Sequence, residues 1–120
     1  MSSELIHRQK YEGFRADAEV HAQFIPTRIE AYFQASFHLI ETVAARLNIH
    51  IDVHGRVRRV LESNPDLFDA HTESVWRAFQ RLENNIRPGQ VYGGAINGPQ
   101  LRETQQLFYQ IERVCLGVLR

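Results

Sequence analysis

The segment from Arg28 to about Asn48 constrains the fold of this chain more than any other. Ile29, Phe33, Phe37, Ile40, Ala44 and Leu47 recur three or four positions apart, the spacing that lays side chains along one side of an α-helix. Val43 and Ser36 flank the stripe. Ala31, Ala35, Thr42 and Ala45 fall on the opposite side, and residues so small let another helix approach closely. The pattern predicts a central helix packed on more than one face.

Proline and glycine divide the rest of the chain into further helical lengths. Ser3 to Ile25 predicts a first helix capped by Ser3. Its stripe is thin (Leu5 or Ile6, Phe14, Ala18, His21, Phe24) and is interrupted by Gly13. Pro26 breaks or kinks the chain, and Thr27 can cap the central helix. Asn48 to Gly55 alternates apolar and polar residues, but with no partner strand in view it reads as an extended connection. A short helix from Gly55 to about Ser63 turns Val57, Val60 and Leu61 inward and Arg56, Arg58, Arg59 and Glu62 outward. Asn64-Pro65-Asp66 predicts the start of a long helix with Phe68, Val75, Phe79, Leu82 and Ile86 on one face and Trp76 beside them. Pro88-Gly89 should stop it, and glycine-rich 89–98 should be a loop. Asn97-Gly98-Pro99 opens the last helix, whose buried stripe is Leu101, Leu107 or Phe108, Ile111, Val114 or Cys115, and Val118.

The expected fold class is therefore all-α, an antiparallel up-and-down helical bundle of four to five helices. With 120 residues there is room for one core, so residues 1–120 are read as one domain. Lys+Arg and Asp+Glu are both 14, which disfavours holding nucleic acid by bulk charge but allows a local basic patch. Lys10 is the only lysine, so the cations are almost all the planar, bidentate guanidinium. The lone Cys115 lies in an apolar run and reads as a small buried hydrophobe. No run is long enough to span a membrane and no secretory signal opens the chain, so no membrane partner is expected and the cytoplasm is the expected compartment.

Few residues suggest chemistry. Phosphate-loop, dinucleotide and serine-hydrolase motifs are absent. His50 and His54 have a ligand-like spacing and Asp52 between them could join, but the segment reads as extended and no further ligand is evident, so no metal or cofactor is expected. His38 sits beside the central stripe, where it is either a buried histidine satisfied by one hydrogen bond or a functional group. His21 and His71 read as packing or surface residues. Glu83 and Glu112 are conceivable acid–base groups, although lone glutamates on helices are usually solvated. Arg56, Arg58 and Arg59 form the one local basic cluster. Arg56 and Arg59 would share a helical face, to hold a phosphate-bearing ligand or to pair with Glu62, Asp66 and Asp69.

Two stretches resemble a known family. Tyr32-Phe33-Gln34-Ala35-Ser36-Phe37-His38-Leu39-Ile40-Glu41, followed by His54-Gly55-Arg56-Val57-Arg58-Arg59-Val60-Leu61, is similar to the HEPN domains (higher eukaryotes and prokaryotes nucleotide-binding). Asn85-Ile86-Arg87 and Tyr92-Gly93 match a third feature, and the likeness spans roughly residues 28 to 115. The resemblance implies a four- or five-helix bundle, usually a homodimer and often acting on RNA. Many members are metal-independent endoribonucleases of toxin type, paired with a protein partner such as a nucleotidyltransferase. Their signature is an arginine followed four to six residues later by a histidine, which moves a proton while the arginine stabilises the phosphorane. Here Arg87 is followed by Tyr92 where the histidine would stand, and a phenol with a pKa of ~10 is a poor base. Arg15 and His21 have suitable spacing but lie on the wrong helix for that family. The expectation is a non-catalytic HEPN-like domain binding a nucleotide, RNA or a protein partner through Arg56, Arg59, Arg87, His38, His54 and Tyr92, with no catalytic residue assigned. Two alternatives are a metal-independent endoribonuclease using His38 or His54, and a helical interaction or dimerisation module presenting Trp76, Phe108 and Tyr109.

Overall fold

A computed structural model describes the backbone of residues 2–120 and the side chains of residues 4–90 and 93–120. Its architecture is an all-α bundle of five helices, with no strand among the described residues. They are α1 (Ser2–Ala16), α2 (Ile25–Arg46), α3 (Val57–Ser63), α4 (Thr72–Arg81) and α5 (Gly98–Leu119). At about 1.5 Å per residue, the 22 residues of α2 or α5 nearly span the 39 Å long axis of the molecule. Among the described residues, no helix is long and apolar enough to cross a membrane.

The central helix behaves as its pattern demands. From Ile29 to Ala44 every side chain of α2 is buried except Glu30 and Gln34, which are partly exposed. Its aromatic face meets α4, where Phe33 and Phe37 pack on Phe79 at ring separations of 5.0 and 6.2 Å. Other faces take α1 and α5, and Tyr32 packs on Phe108 of α5. Leu47, expected to close the stripe, is exposed because α2 ends at Arg46 and Asn48 turns the chain with a positive φ of 61°. Of the alternatives on α5, Phe108 and Cys115 are fully buried. Burial pushes the Cys115 thiol well up, which leaves it a neutral packing group.

Helix boundaries depart from the expected ones for identifiable reasons. Pro26 does not break the chain but occupies the first turn of α2, where a missing N–H costs nothing, and Thr27 makes no capping bond. Asn64 ends α3 instead of starting α4: its side-chain amide donates to the Val60 carbonyl at 2.8 Å. The chain then passes through a short turn in which Asp69 has a φ of 53°, and α4 begins at Thr72. The Thr72 hydroxyl accepts from the Phe68 N–H at 2.9 Å and donates to the Asp69 carbonyl at 3.3 Å, closing that turn. Phe68 is buried as expected, although ahead of the helix.

Pro88-Gly89 does not stop the fourth helix. The chain widens into π turns at Leu82–Ile86 and again at Pro88–Gly93. A proline inside an α-helix lacks a donor and presses on the carbonyl four residues back, and a wider turn relieves that conflict while the helical path continues. A third π turn, Asp17–His21, ends the first helical segment. On that segment Tyr11 and Ala18 are buried, whereas Leu5, Ile6, His21 and Phe24 are exposed. The last helix opens at Asn97-Gly98-Pro99 as expected, and Asn97 caps it, its side-chain oxygen accepting from the Gln100 N–H at 3.2 Å.

The two threonine and asparagine assignments separate experimentally. Asn97→Ala should cost about 1 kcal/mol, the usual value of a helix cap. Thr27→Ala, at an exposed position without a capping bond, should stay within about 0.5 kcal/mol of the parent. Urea denaturation midpoints at constant slope check both, and a larger loss for Thr27→Ala would contradict the absence of a capping bond from Thr27.

Candidate functional site

Two polar clusters lie against the aromatic face of α2. The first is built around the Phe33 ring. Arg87, between the two π turns after α4, places its guanidinium carbon 4.7 Å over the ring centroid, and His54 meets the ring edge-on at 5.2 Å. Each is held by its own carboxylate. Arg87 Nε donates to Glu30 Oε1 at 2.6 Å, and His54 Nδ1 lies 2.5 Å from Glu83 Oε2. Glu83 and Arg87 are four residues apart on the extended fourth helix, so one reaches the connection before α3 and the other the N-terminal half of α2. The Arg87 side chain is only 15% exposed, whereas His54 is 42% exposed. Glu30 also accepts from Gln34 at 2.9 Å and lines a groove of about 600 Å³ shared with Phe14, Asp17, His21 and Phe24.

The second cluster joins α1 to α2. His7 Nδ1 and His38 Nδ1 are 3.1 Å apart, and Glu41 Oε1 lies 3.4 Å from the first and 3.5 Å from the second. The other Glu41 oxygen accepts from the Asp52 backbone N–H at 3.3 Å. Phe14 stacks on His38 at 5.7 Å with an interplanar angle of 4°. Burial dominates the electrostatics. It pulls His38 down to about 4, with the neighbouring His7 and Lys10 contributing, and it also lowers His7. Burial pushes Glu41 up to about 7, although the Asp52 N–H and Lys10 pull it the other way.

The expected site residues are thus only partly brought together. Arg87 and His54 meet on one ring. His38 belongs to the second cluster, and Phe37 lies between the two, its ring 5.2 Å from His38 and 6.3 Å from His54. Arg56 is exposed and pairs loosely with Asp52 at 3.8 Å. Arg59 is exposed and makes no hydrogen bond or ion pair among the described residues. Arg58 is drawn off to Glu62 and to the Trp76 ring, which Arg77 also covers. The Tyr92 side chain lies outside the described residues. Arg15 is occupied by Glu112 and Glu19, which removes it from any pairing with His21. Trp76 and Phe108 are core residues, so of the suggested contact residues only Tyr109 reaches the surface.

Glu83 and Glu112, expected to be solvated, are instead mostly buried and engaged. Glu112 accepts from Tyr11 Oη at 2.5 Å and from Arg15 Nε at 2.7 Å, tying α1 to α5. Burial and that carboxylate push the Tyr11 phenol well up, so it remains a donor. His7, Glu30 and Glu41 were not singled out by sequence. The i,i+3 spacing of His38 and Glu41 was a visible signal; nothing in the sequence announces that His7 lies beside them. No protein-family model matches this chain, and neither a curated protein nor a solved structure does.

The opposed shifts in the second cluster give a pH test. Between about 4.5 and 7, folded Glu41 keeps a proton that the unfolded chain releases, so rising pH weakens the fold. Between about 4 and 6.5, folded His38 lacks a proton that the unfolded chain binds, so rising pH strengthens it. The slopes oppose each other where the windows overlap. Glu41→Gln removes the first, and in chelator-treated protein its stability should climb with pH from 4.5 to 6.5 at a slope approaching ~1.4 kcal/mol per pH unit. Urea midpoints measured across that range check this, and a profile no steeper than the parent's would contradict it.

Proposed function

We propose that this chain is a non-catalytic, HEPN-like bundle that binds the phosphates of RNA or of a nucleotide at the face shared by Arg87 and His54. One observation carries the reading: the guanidinium and the imidazole, from elements far apart in sequence, are pressed on the same Phe33 ring. Two planar donors so placed suit a phosphate oxygen and an adjoining base or sugar. Arg56 and Arg59, on the turn and helix that follow His54, supply further positive charge. The resemblance of residues 28 to 115 to HEPN domains points the same way.

The charge balance of the site makes the proposal specific. Glu30 neutralises Arg87, so an incoming phosphate competes with this carboxylate. Glu30→Gln should therefore tighten binding of a labelled single-stranded RNA several-fold. Arg87→Ala should weaken it at least tenfold and reduce the slope of log K against log salt by about 0.7, the value of one phosphate contact on a single strand. Fluorescence anisotropy over a salt series measures both. Binding that is absent, or indifferent to salt and to both substitutions, would overturn the reading.

A second reading rests on the short contact between His54 Nδ1 and Glu83 Oε2. A carboxylate on Nδ1 leaves Nε2 to accept a proton, as in orienting pairs of general bases. In that case Nε2 takes the 2′-hydroxyl proton, the 2′-oxygen attacks phosphorus, and the bond to the 5′-oxygen breaks as that oxygen takes a proton from water. The products are a cyclic phosphate and a 5′-hydroxyl. Labelled RNA incubated with the protein and a chelator separates the two. Intact but retarded RNA is the expected outcome, and cleavage abolished by His54→Ala would establish catalysis instead.

A further inference from the structure

The cluster of His7, His38 and Glu41 plays no part in the phosphate site and stands on its own observations. Three ligand atoms, two imidazole nitrogens and a carboxylate oxygen, form a triangle with edges of 3.1, 3.4 and 3.5 Å. Ligands placed ~2.0–2.1 Å from a tetrahedral zinc ion lie about 3.3 Å from one another. The triangle thus has the size of one face of such a tetrahedron. We propose that His7 Nδ1, His38 Nδ1 and Glu41 Oε1 bind one divalent transition ion of the zinc class, which clips α1 to α2 and keeps a fourth position for water.

The chemistry of the donors selects the ion. Two imidazoles and one carboxylate suit zinc, cobalt or nickel, whereas magnesium and calcium require shells made mainly of oxygen. The surroundings resemble an outer ligand shell. The Asp52 N–H orients the Glu41 carboxylate, and the parallel Phe14 ring together with Phe37 fixes the plane of His38. Uptake of the ion displaces the proton of the Glu41 carboxyl; Asp52 adds negative charge beside the triangle, whereas Lys10 and His50 oppose a cation there.

The two rings now face each other almost nitrogen to nitrogen, with centroids 5.3 Å apart, which is the geometry of an N–H···N hydrogen bond. Uptake of the ion replaces the shared proton and turns both rings toward Glu41. That exchange also defines the rival account, a buried hydrogen-bonded triad that holds a proton and never a metal.

The test uses the full chain stripped with a chelator and dialysed. Addition of Co²⁺ alone should give the intense visible bands of four-coordinate cobalt, saturating at one equivalent and bleached by one equivalent of Zn²⁺. Zn²⁺ at a hundredfold excess over Kd should raise Tm by about 10 °C. Glu41→Gln and His7→Ala should each weaken Zn²⁺ binding more than tenfold, whereas His71→Ala, at an exposed position on another element, should not. His7 is partly exposed on α1, and circular dichroism confirms that its variant is folded before titration. Cobalt that stays six-coordinate, a Tm indifferent to Zn²⁺, or undiminished binding by the double variant Glu41→Gln/His7→Ala would overturn the proposal and leave the triad as a hydrogen-bond network.

Discussion

Enclosure of α2 by its neighbours is the constraint on which the remaining structure depends. A helix whose side chains are buried all round from Ile29 to Ala44, apart from Glu30 and Gln34, cannot be covered by one partner. It needs α1, α4 and α5 together, and the small residues Ala31, Ala35, Ser36 and Thr42 let them come close. Burial of this kind leaves no freedom for polar groups in the same helix. Ser36 and Thr42 turn their hydroxyls back to the Tyr32 and His38 carbonyls, at 2.9 and 2.8 Å, because both side chains are fully buried away from the surface. His38 and Glu41 find each other and His7, and Glu41 also accepts from the Asp52 N–H.

Both polar clusters are consequences of that packing. Phe33 and Phe37 face α4 to fill the core, and the edges and faces of their rings that the core does not cover become platforms. His54 and Arg87 lie on the uncovered parts of Phe33, and His38 lies beside Phe37. An aromatic ring attracts a cation to its face and accepts a polar edge at its rim, so the same residues that stabilise the bundle also orient the groups with chemical potential. In each case a carboxylate then fixes the position: Glu83 for His54, Glu30 for Arg87 and Glu41 for the paired imidazoles.

The π turns decide which residues reach these platforms. Had the fourth helix ended at Pro88, Arg87 would sit at a fraying terminus. The helical path instead continues to Gly93 and packs against α2, and Arg87 is only 15% exposed beside Glu30. A proline read as a stop signal was in this instance accommodated by a widened turn. Local propensity does not distinguish the two outcomes, because the choice depends on whether a neighbouring helix rewards continuation. The same reasoning applies to Asn64-Pro65-Asp66, where the tertiary fit of Phe68 delayed the start of α4 to Thr72.

Periodicity alone determined that this chain is an all-helical bundle with α2 at its centre, since the i, i+3, i+4 recurrence of large apolar residues has one economical arrangement. Local sequence also located the opening of α5 at Asn97-Gly98-Pro99, the inward face of α3 and the burial of Cys115, each of which depends on residues near one another in sequence. Which polar groups meet was decided only by the tertiary structure. His7 and His38 are 31 positions apart, His54 and Glu83 are 29 apart, and Arg87 and Glu30 are 57 apart. Their pairing depends on the rotation and stagger of packed helices, quantities that a shift of one residue in register would change and that no short-range pattern records.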